Sequence, residues 1–544
     1  MEIRQCSVLV IGGGESGIRA AVEAKRAGVD EVILLTKGKF GSAGVMFSEL
    51  TYGWDMQAAT GENDGTDSTD VFFDDVMRAA QGTCSAELAR VVTDEAASRV
   101  DDLVDLFGLE LLAGSNGKPR QVYGCFSSKS RAYQFIHPAR IKEQMKQSVD
   151  RFGVTLLEEF MAVELLKKDG VCCGAMAVSR DGKILCCLAG AVVLAAGGAT
   201  GIYQHNFASP GMTGDGYSLA YRAGCSLANL EFMQFGLGVL EPKYNALFLD
   251  RILCLKPDIK FRREHRFPRP LEQMMEQHAK HFPFSCTDDS FYLDTAIFEE
   301  TLENGGKGVA VDLSVIPREK LEEIPVWGLY YSWFEEEKNP YDNELSITPF
   351  AHACNGGVKI NAEAMTEVPG LYAAGEMVSG PHGANRLGGY MHAACQVFGT
   401  RAGRNAAWFA GEHPVSFDGV VFPELTPTGK ESMDLGAMRR QVGELMWRSV
   451  NVVRCEADMA AALEAVRNWQ MALEEYGGPD LWEFYETRST LLSAELILTA
   501  ALARRESRGS HYRKDFPQTE SAPYVLSLSR SPDGVAVRRT EAFT

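Results

Sequence analysis

Long apolar runs are missing. No segment reaches the roughly 18–20 uninterrupted apolar residues of a membrane-spanning helix, and the opening Met1-Glu2-Ile3-Arg4-Gln5-Cys6 lacks the hydrophobic stretch of a secretory signal. The 13 cysteines are odd in number and scattered without a C-x-x-C pair, which excludes the common zinc and ferredoxin-type frameworks. Two vicinal pairs, Cys172-Cys173 and Cys186-Cys187, read as buried reduced thiols of a sheet. Positive charge is also short: 54 Lys plus Arg against 73 Asp plus Glu leave a net charge of −19. A chain this acidic repels phosphate backbones, so nucleic acid is not its expected partner. These absences together predict a cytoplasmic protein without a transmembrane segment.

What is present is ordinary globular material. The 544 residues are 45% hydrophobic and 23% charged, enough for two to four domains of about 100–200 residues each. An apolar strand over 7–11 runs into Gly12-Gly13-Gly14-Glu15-Ser16-Gly17 and then a helical pattern through Ala27. Gly12, Gly14 and Gly17 fit G-x-G-x-x-G: a tight turn, close approach of a pyrophosphate, and close helix–strand packing. The phosphates would sit at the positive end of the helix, on its free N–H groups. The next strand, 31–35, ends in Thr36-Lys37, where an acidic residue usually holds a ribose hydroxyl. Thr36 still offers a hydroxyl and Lys37 a charge for phosphate.

Glycine-rich turns recur after apolar runs. Ala195-Ala196-Gly197-Gly198 lets a backbone or ligand come close. Thr213-Gly214-Asp215-Gly216 opens a helix, with Asp215 either its cap or a ligand to a ribose or ribityl hydroxyl. A third dense stretch carries Gly375-Glu376 and His382-Gly383-Ala384-Asn385-Arg386-Leu387-Gly388-Gly389. Residues 71–107 read as helical, about 236–348 as an insertion rich in Arg, aromatics and Pro, and those after 428 as amphipathic helices.

The motifs GGGESG, AAGGATG, TGDG, LEFMQF, AHACNGG, GLYAAGE, HGANRLGG and RESRGSHYRKDFP, in that order, resemble the flavoprotein family of succinate dehydrogenase, fumarate reductase and L-aspartate oxidase. The resemblance spans nearly the whole chain, to about Pro517. It implies an α/β fold: a discontinuous Rossmann-like FAD-binding domain (1–235 and 349–412), an inserted α+β capping domain (236–348) and a C-terminal helical domain (428–544). It also implies FAD held by Gly12, Gly14 and Gly17, by Thr36 and Lys37, and by Gly41, Ser42, Ala43 and Gly44 of the following loop. Ala196, Gly197, Asp215, Glu376, Arg386, Gly389, Tyr390 and Met391 complete the implied cofactor contacts. Succinate dehydrogenases bond FAD to a His in the loop here spanning 37–44; that loop has none, so non-covalent FAD is expected.

The family's dicarboxylate lies between two His and two Arg. One pair is kept, Arg386 and His352, and a planar guanidinium suits a carboxylate through two parallel hydrogen bonds. The second pair is altered. The family His after EFMQF falls at Gly236, and the Arg of the family's S-R-A aligns with Thr295. A buried carboxylate left without its charged partners costs several kcal/mol, so a substrate with one carboxylate is expected rather than fumarate, succinate or aspartate. Thr295, at the family Arg position, is placed with Arg386, His352 and Tyr292 in the catalytic set; Tyr292, Tyr390 and His392 are candidate acids or bases. The basic stretch 251–270 is read as a solvated loop, an electropositive entrance, or a replacement for the missing Arg. The C-terminal Arg504–Gly509 run is read as structural ion pairs. Without a second nucleotide fold or cluster-type cysteines, electrons would pass to oxygen, a quinone, or an iron–sulfur or other electron-transfer protein. The alternatives are L-aspartate oxidase with a rearranged site, or a flavoprotein subunit inactive without its partner.

Overall fold

The computed structural model describes the chain except residues 43, 49–54, 115, 136, 137, 325, 417, 431, 533 and 544, and the side chains of 138 and 139. Its centre is a parallel sheet. Strand β1 (Glu2–Ile11) pairs with β2 (Val32–Leu35) on one side and with strand Ile184–Leu194 on the other. Thr155–Leu157 extends the sheet beyond β2, and Leu371–Ala373 joins the far strand. β1 and β2 are apolar through Val8–Ile11 and Val32–Leu35 because both faces are covered, as parallel strands require. Helix α1 (Glu15–Arg26) and the long helix Tyr390–Glu412 pack on one face. Their crossing is close: a Cβ on Gly403 would stand 2.2 Å from the Ala20 carbonyl oxygen.

The helical stretch expected over 71–107 is two helices, Thr69–Ala80 and Ala86–Asp105. Gln81 takes a left-handed conformation at the break, and the Ser85 hydroxyl caps the second helix by accepting from the Leu88 N–H.

The inserted region has its own five-stranded sheet and its own core, with Val239, Phe248, Ile297, Val311 and Ile347 almost fully buried. The chain enters and leaves it on two paired strands, Met233–Glu241 and Leu345–Cys354, with Gly236 opposite Phe350. The crossing is therefore a two-stranded ribbon rather than a pair of loops. Helices Leu435–Ser449, Glu456–Glu474 and Leu481–Ala503 follow. The expected helical character does not extend to the terminus. Val525–Ser531 and Gly534–Thr540 form a hairpin that pairs with Leu227–Ala228, because Val525, Leu526 and Leu528 add apolar surface to that sheet.

The four cysteines of the vicinal pairs are free, three of them buried, on neighbouring antiparallel strands. Among the described residues, no helix is long and apolar enough to cross a membrane.

Candidate active site

One large cavity, about 370 Å³, runs from the end of β1 to the insertion. Gly12, Gly13 and Gly14 form its floor where β1 turns into α1. Gly12 has φ +117° and a Cβ there would meet the Ala195 oxygen at 2.1 Å, so only glycine fits. Gly17 stands outside the cavity, pressed against the Gly12 carbonyl, where a Cβ would lie at 1.8 Å. A Cβ on Gly14, by contrast, would meet nothing within 4 Å. The α1 N-terminus carries no side-chain cap, and the buried Ser16 hydroxyl beside it has no partner among the described residues. Free N–H groups, an unpartnered hydroxyl and open space are what a pyrophosphate occupies. The residues present fit FAD.

Thr36, Lys37, Gly41, Gly44, Ala196, Gly197, Asp215, Glu376, Gly389 and Met391 also line the cavity. Ser42 does not; its hydroxyl donates to the Lys39 carbonyl at 2.6 Å. Ala43 lies outside the described residues. Lys37 is not a free phosphate ligand: its ammonium bridges Asp215 at 2.7 Å and Glu486 at 2.8 Å. The two carboxylates outweigh burial and hold its pKa above the ordinary lysine value. Asp215 is the first residue of helix Asp215–Ala223, with Gly214 in the cap position, so it is not the cap. Glu376 accepts from the Cys354 N–H at 2.9 Å, and burial raises its pKa. Tyr390 is turned away from the cavity, edge-on to Phe72 at 5.6 Å and to His382 at 5.2 Å.

The insertion side of the cavity gathers Arg386, His352, Phe282, Pro283, Cys125 and Asp55. Arg386 donates from Nε to Gln234 at 3.0 Å and from Nη1 to the Leu387 carbonyl at 3.1 Å. Its Nη2 faces His352 Nε2 at 3.5 Å. Burial, together with this guanidinium, drives the His352 pKa down to about 3, so the imidazole is neutral and serves as a hydrogen-bonding group. Its ring stands edge-on to Phe207 and Phe282, with centroids 5.9 and 5.5 Å away. The Arg386 loop is braced from behind. Ser510 N–H donates to the Ala384 carbonyl, and Gly509, with φ +53°, lies too close to Ala384 for any side chain. The Gly509 carbonyl also accepts from the Cys286 N–H, tying the same turn to the loop that carries Phe282.

Gly236 is filled from outside. A Cβ there would meet the tip of the Phe282 ring at 2.5 Å, so Phe282 occupies the space a side chain at 236 would take.

Tyr292 and Thr295 are corrections. Both sit on helix Phe291–Glu303 and neither lines the cavity. Tyr292 is surface-exposed and stacked on Phe291 at 4.2 Å, while the Thr295 hydroxyl donates to the Tyr292 carbonyl at 3.1 Å. A helix interior turns the Thr295 side chain back onto its own preceding turn. His392 does line the cavity, with Nδ1 2.6 Å from Glu15. The basic residues of 251–270 are all exposed and none lines the cavity, so they replace no arginine there. Lys256, Lys260, Arg263 and Arg269 pair with surface carboxylates.

Sequence reasoning missed Phe282, Asp55 and Cys125. The His-Phe-Pro-Phe segment 281–284 was a visible signal, an aromatic next to a proline within a polar stretch; Asp55 and Cys125 had none.

A sequence profile described as FAD binding domain matches residues 7–391, and one described as fumarate reductase flavoprotein C-term matches 439–529. The chain is 30% identical over 541 residues to a fumarate reductase (CoM/CoB) subunit of Methanothermobacter marburgensis, covering 95% of this chain and 96% of that one. It is 27% identical to L-aspartate oxidase of Vibrio cholerae, covering 96% and 98%. The solved structure of Mycobacterium smegmatis Sdh1 in complex with UQ1 superposes with a TM-score of 0.86 at 26% identity, covering 100% of this chain and 95% of that one.

Proposed function

Because the chain belongs to the succinate dehydrogenase and fumarate reductase flavoprotein family, and is an FAD-dependent oxidoreductase, we propose that it transfers a hydride between a small monocarboxylate with an apolar body and FAD. One observation carries this reading: among the described residues Arg386 is the only arginine lining the cavity, and Phe282 fills the space beside Gly236 where the family's second anchor would stand. Bound FAD supplies the two-electron chemistry at N5 of its isoalloxazine. Everything else falls to side chains. Arg386 binds the carboxylate through its fork, neutral His352 adds a hydrogen bond to the same group, and Phe282 and Leu247 exclude water from the substrate's far end. Gly388, Gly389 and Met391 line the cavity and would hold the cofactor's ring system, and Asp215 and Glu376 would receive its hydroxyls.

FAD is held without a covalent bond. His352 and His392 are the histidines lining the cavity among the described residues, and their ring nitrogens face Arg386 and Glu15. Acid precipitation of the purified yellow protein therefore releases all of its flavin. The physiological electron carrier is a separate protein: two relatives are named as subunits, and no group of metal-ligating side chains occurs among the described residues. Thirteen free thiols suit a cytoplasmic, reducing compartment.

The test is an anaerobic screen of carboxylates for bleaching of bound FAD or reoxidation of its reduced form. Short 2-enoic or saturated monoacids act on wild type, and Arg386→Gln lowers kcat/KM for them by about a thousandfold, as loss of a buried charged hydrogen bond predicts. Activity unaffected by Arg386→Gln would refute the reading.

A further inference from the structure

Among the described residues, four carboxyl groups line the cavity: Glu15, Asp55, Asp215 and Glu376. Three are committed. Glu15 accepts from Gln396 at 2.9 Å and holds His392 at 2.6 Å. Asp215 is paired with Lys37, and Glu376 caps the Cys354 N–H. Asp55 differs. Among the described residues none hydrogen-bonds its carboxylate, although it is placed with care. It opens strand β3 (Asp55–Gln57), paired across to Gln134 and fastened to the glycine turn by the Gln57 N–H, which donates to the Gly389 carbonyl at 3.2 Å. The turn yields to it: Gly389 has φ +77°, and a Cβ there would stand 2.9 Å from Asp55 Oδ1. The carboxyl thus lies on the substrate side of the cavity, over the residues that open helix Tyr390–Glu412.

Among the described residues, the other ionisable groups on that side are Arg386, His352, Cys125 and His392. Arg386 stays charged, and His352 stays neutral down to about pH 3. Burial pushes the Cys125 thiol up to about 12, and His392 is tied to Glu15. Tyr292 and Thr295 are elsewhere.

We propose that Asp55 is the proton-transfer residue of this site, a catalytic carboxyl doing the work for which the sequence offers no arginine. It rests on the monocarboxylate reading above. In the oxidising direction the substrate loses a hydride from one carbon to FAD and a proton from the adjacent carbon to the Asp55 carboxylate. The electron pair of the second C–H bond becomes the new C=C bond; the reverse direction returns both. Among the described residues, the charged and titratable groups facing Asp55 are Arg386 from the turn before the long helix, His392 from that helix, and Cys125 from the segment beyond the strand Gln121–Tyr123. Burial lifts the Asp55 pKa while Arg386 and His392 oppose the lift, which brings the carboxyl toward the range a general acid needs.

The experiment compares wild type with Asp55→Asn and Asp55→Glu, each checked for FAD content and melting temperature. The first readout is the midpoint potential of bound FAD against pH, which needs no substrate. A carboxyl that ionises beside the ring puts a break in that line, because its pKa differs between oxidised and reduced protein. The break is expected in wild type and Asp55→Glu and absent from Asp55→Asn. The second readout is turnover with the most active monoacid of the screen, expected to fall at least about a hundredfold in Asp55→Asn and to return in part in Asp55→Glu. An unchanged potential line in Asp55→Asn, or unchanged turnover, overturns the proposal. If no monocarboxylate exchanges electrons with wild type, the monocarboxylate reading fails, and the potential line still decides whether Asp55 titrates beside the flavin.

Discussion

The insertion side of the cavity, where the proposed function seats the substrate, is shaped by one ring. Phe282 stands against the bare backbone of Gly236 and edge-on to His352, so it replaces a polar group with apolar surface and also fixes the imidazole. Phe282→Ala is expected to lower kcat/KM about 10- to 100-fold for monoacids long enough to touch the ring, and less for the shortest acids. Steady-state kinetics on a chain-length series measures this. The sequence displayed the loss of a histidine at 236 but not what fills its place, since 46 residues separate Gly236 from Phe282 and only the folded insertion brings them together. Arg386 and His352 were legible because each sits in a motif of its own. Thr295 was misread for the opposite reason: its register along the chain is plain, yet the helix points it at the Tyr292 carbonyl.

At the scale of elements, the β1–α1 turn separates fold from function. Gly12 supports the crossing beneath Ala195, whereas a Cβ on Gly14 would meet no other part of the described residues within 4 Å. Gly12→Ala is therefore expected to destabilise the apoprotein, with a lower melting temperature and little flavin retained. Gly14→Ala keeps the melting temperature of the apoprotein and loses FAD affinity, read by flavin titration. The strand, the glycines and the helix were all evident from local pattern, because each depends on neighbours within a few residues. The C-terminal hairpin was not read: its alternation Val525-Leu526-Ser527-Leu528 is short, and its pairing partner Leu227–Ala228 lies about 300 residues upstream.

The whole molecule encloses many ionisable groups, and their signs set its pH response. His352 and His205, with pKa values driven to about 3 and about 4 by burial, and His382 and His511, held well below the usual range, are neutral in the fold. Each takes up a proton more readily when unfolded, near pH 6.5, so the stability they contribute is complete above that pH and is lost as pH falls toward 4. His278, raised beside Asp294, has the opposite sign: its contribution is present below pH 6.5 and is lost as pH rises through its elevated pKa. Four against one, the histidines lower the melting temperature from pH 6.5 to 4, while Asp55, Asp250 and Glu376, raised by burial, act in the opposite sense; His205→Gln is expected to make the fall shallower in thermal melts across that range. The Arg504–Gly509 run acts at this scale too. Arg504 joins Glu231 at 2.7 Å and Glu506 at 2.6 Å, all fully buried; Glu506 also holds Arg508 at 2.9 Å, so Arg504→Met strands the Glu231 carboxylate and costs about 3–5 kcal/mol in denaturant unfolding. The most direct test of the one-anchor pocket is stopped-flow reoxidation of the dithionite-reduced protein without oxygen, comparing but-2-enoate and its longer homologues with fumarate. The monoacids are expected to reoxidise the flavin at least tenfold faster at equal concentration; a fumarate rate that exceeds theirs would contradict the account.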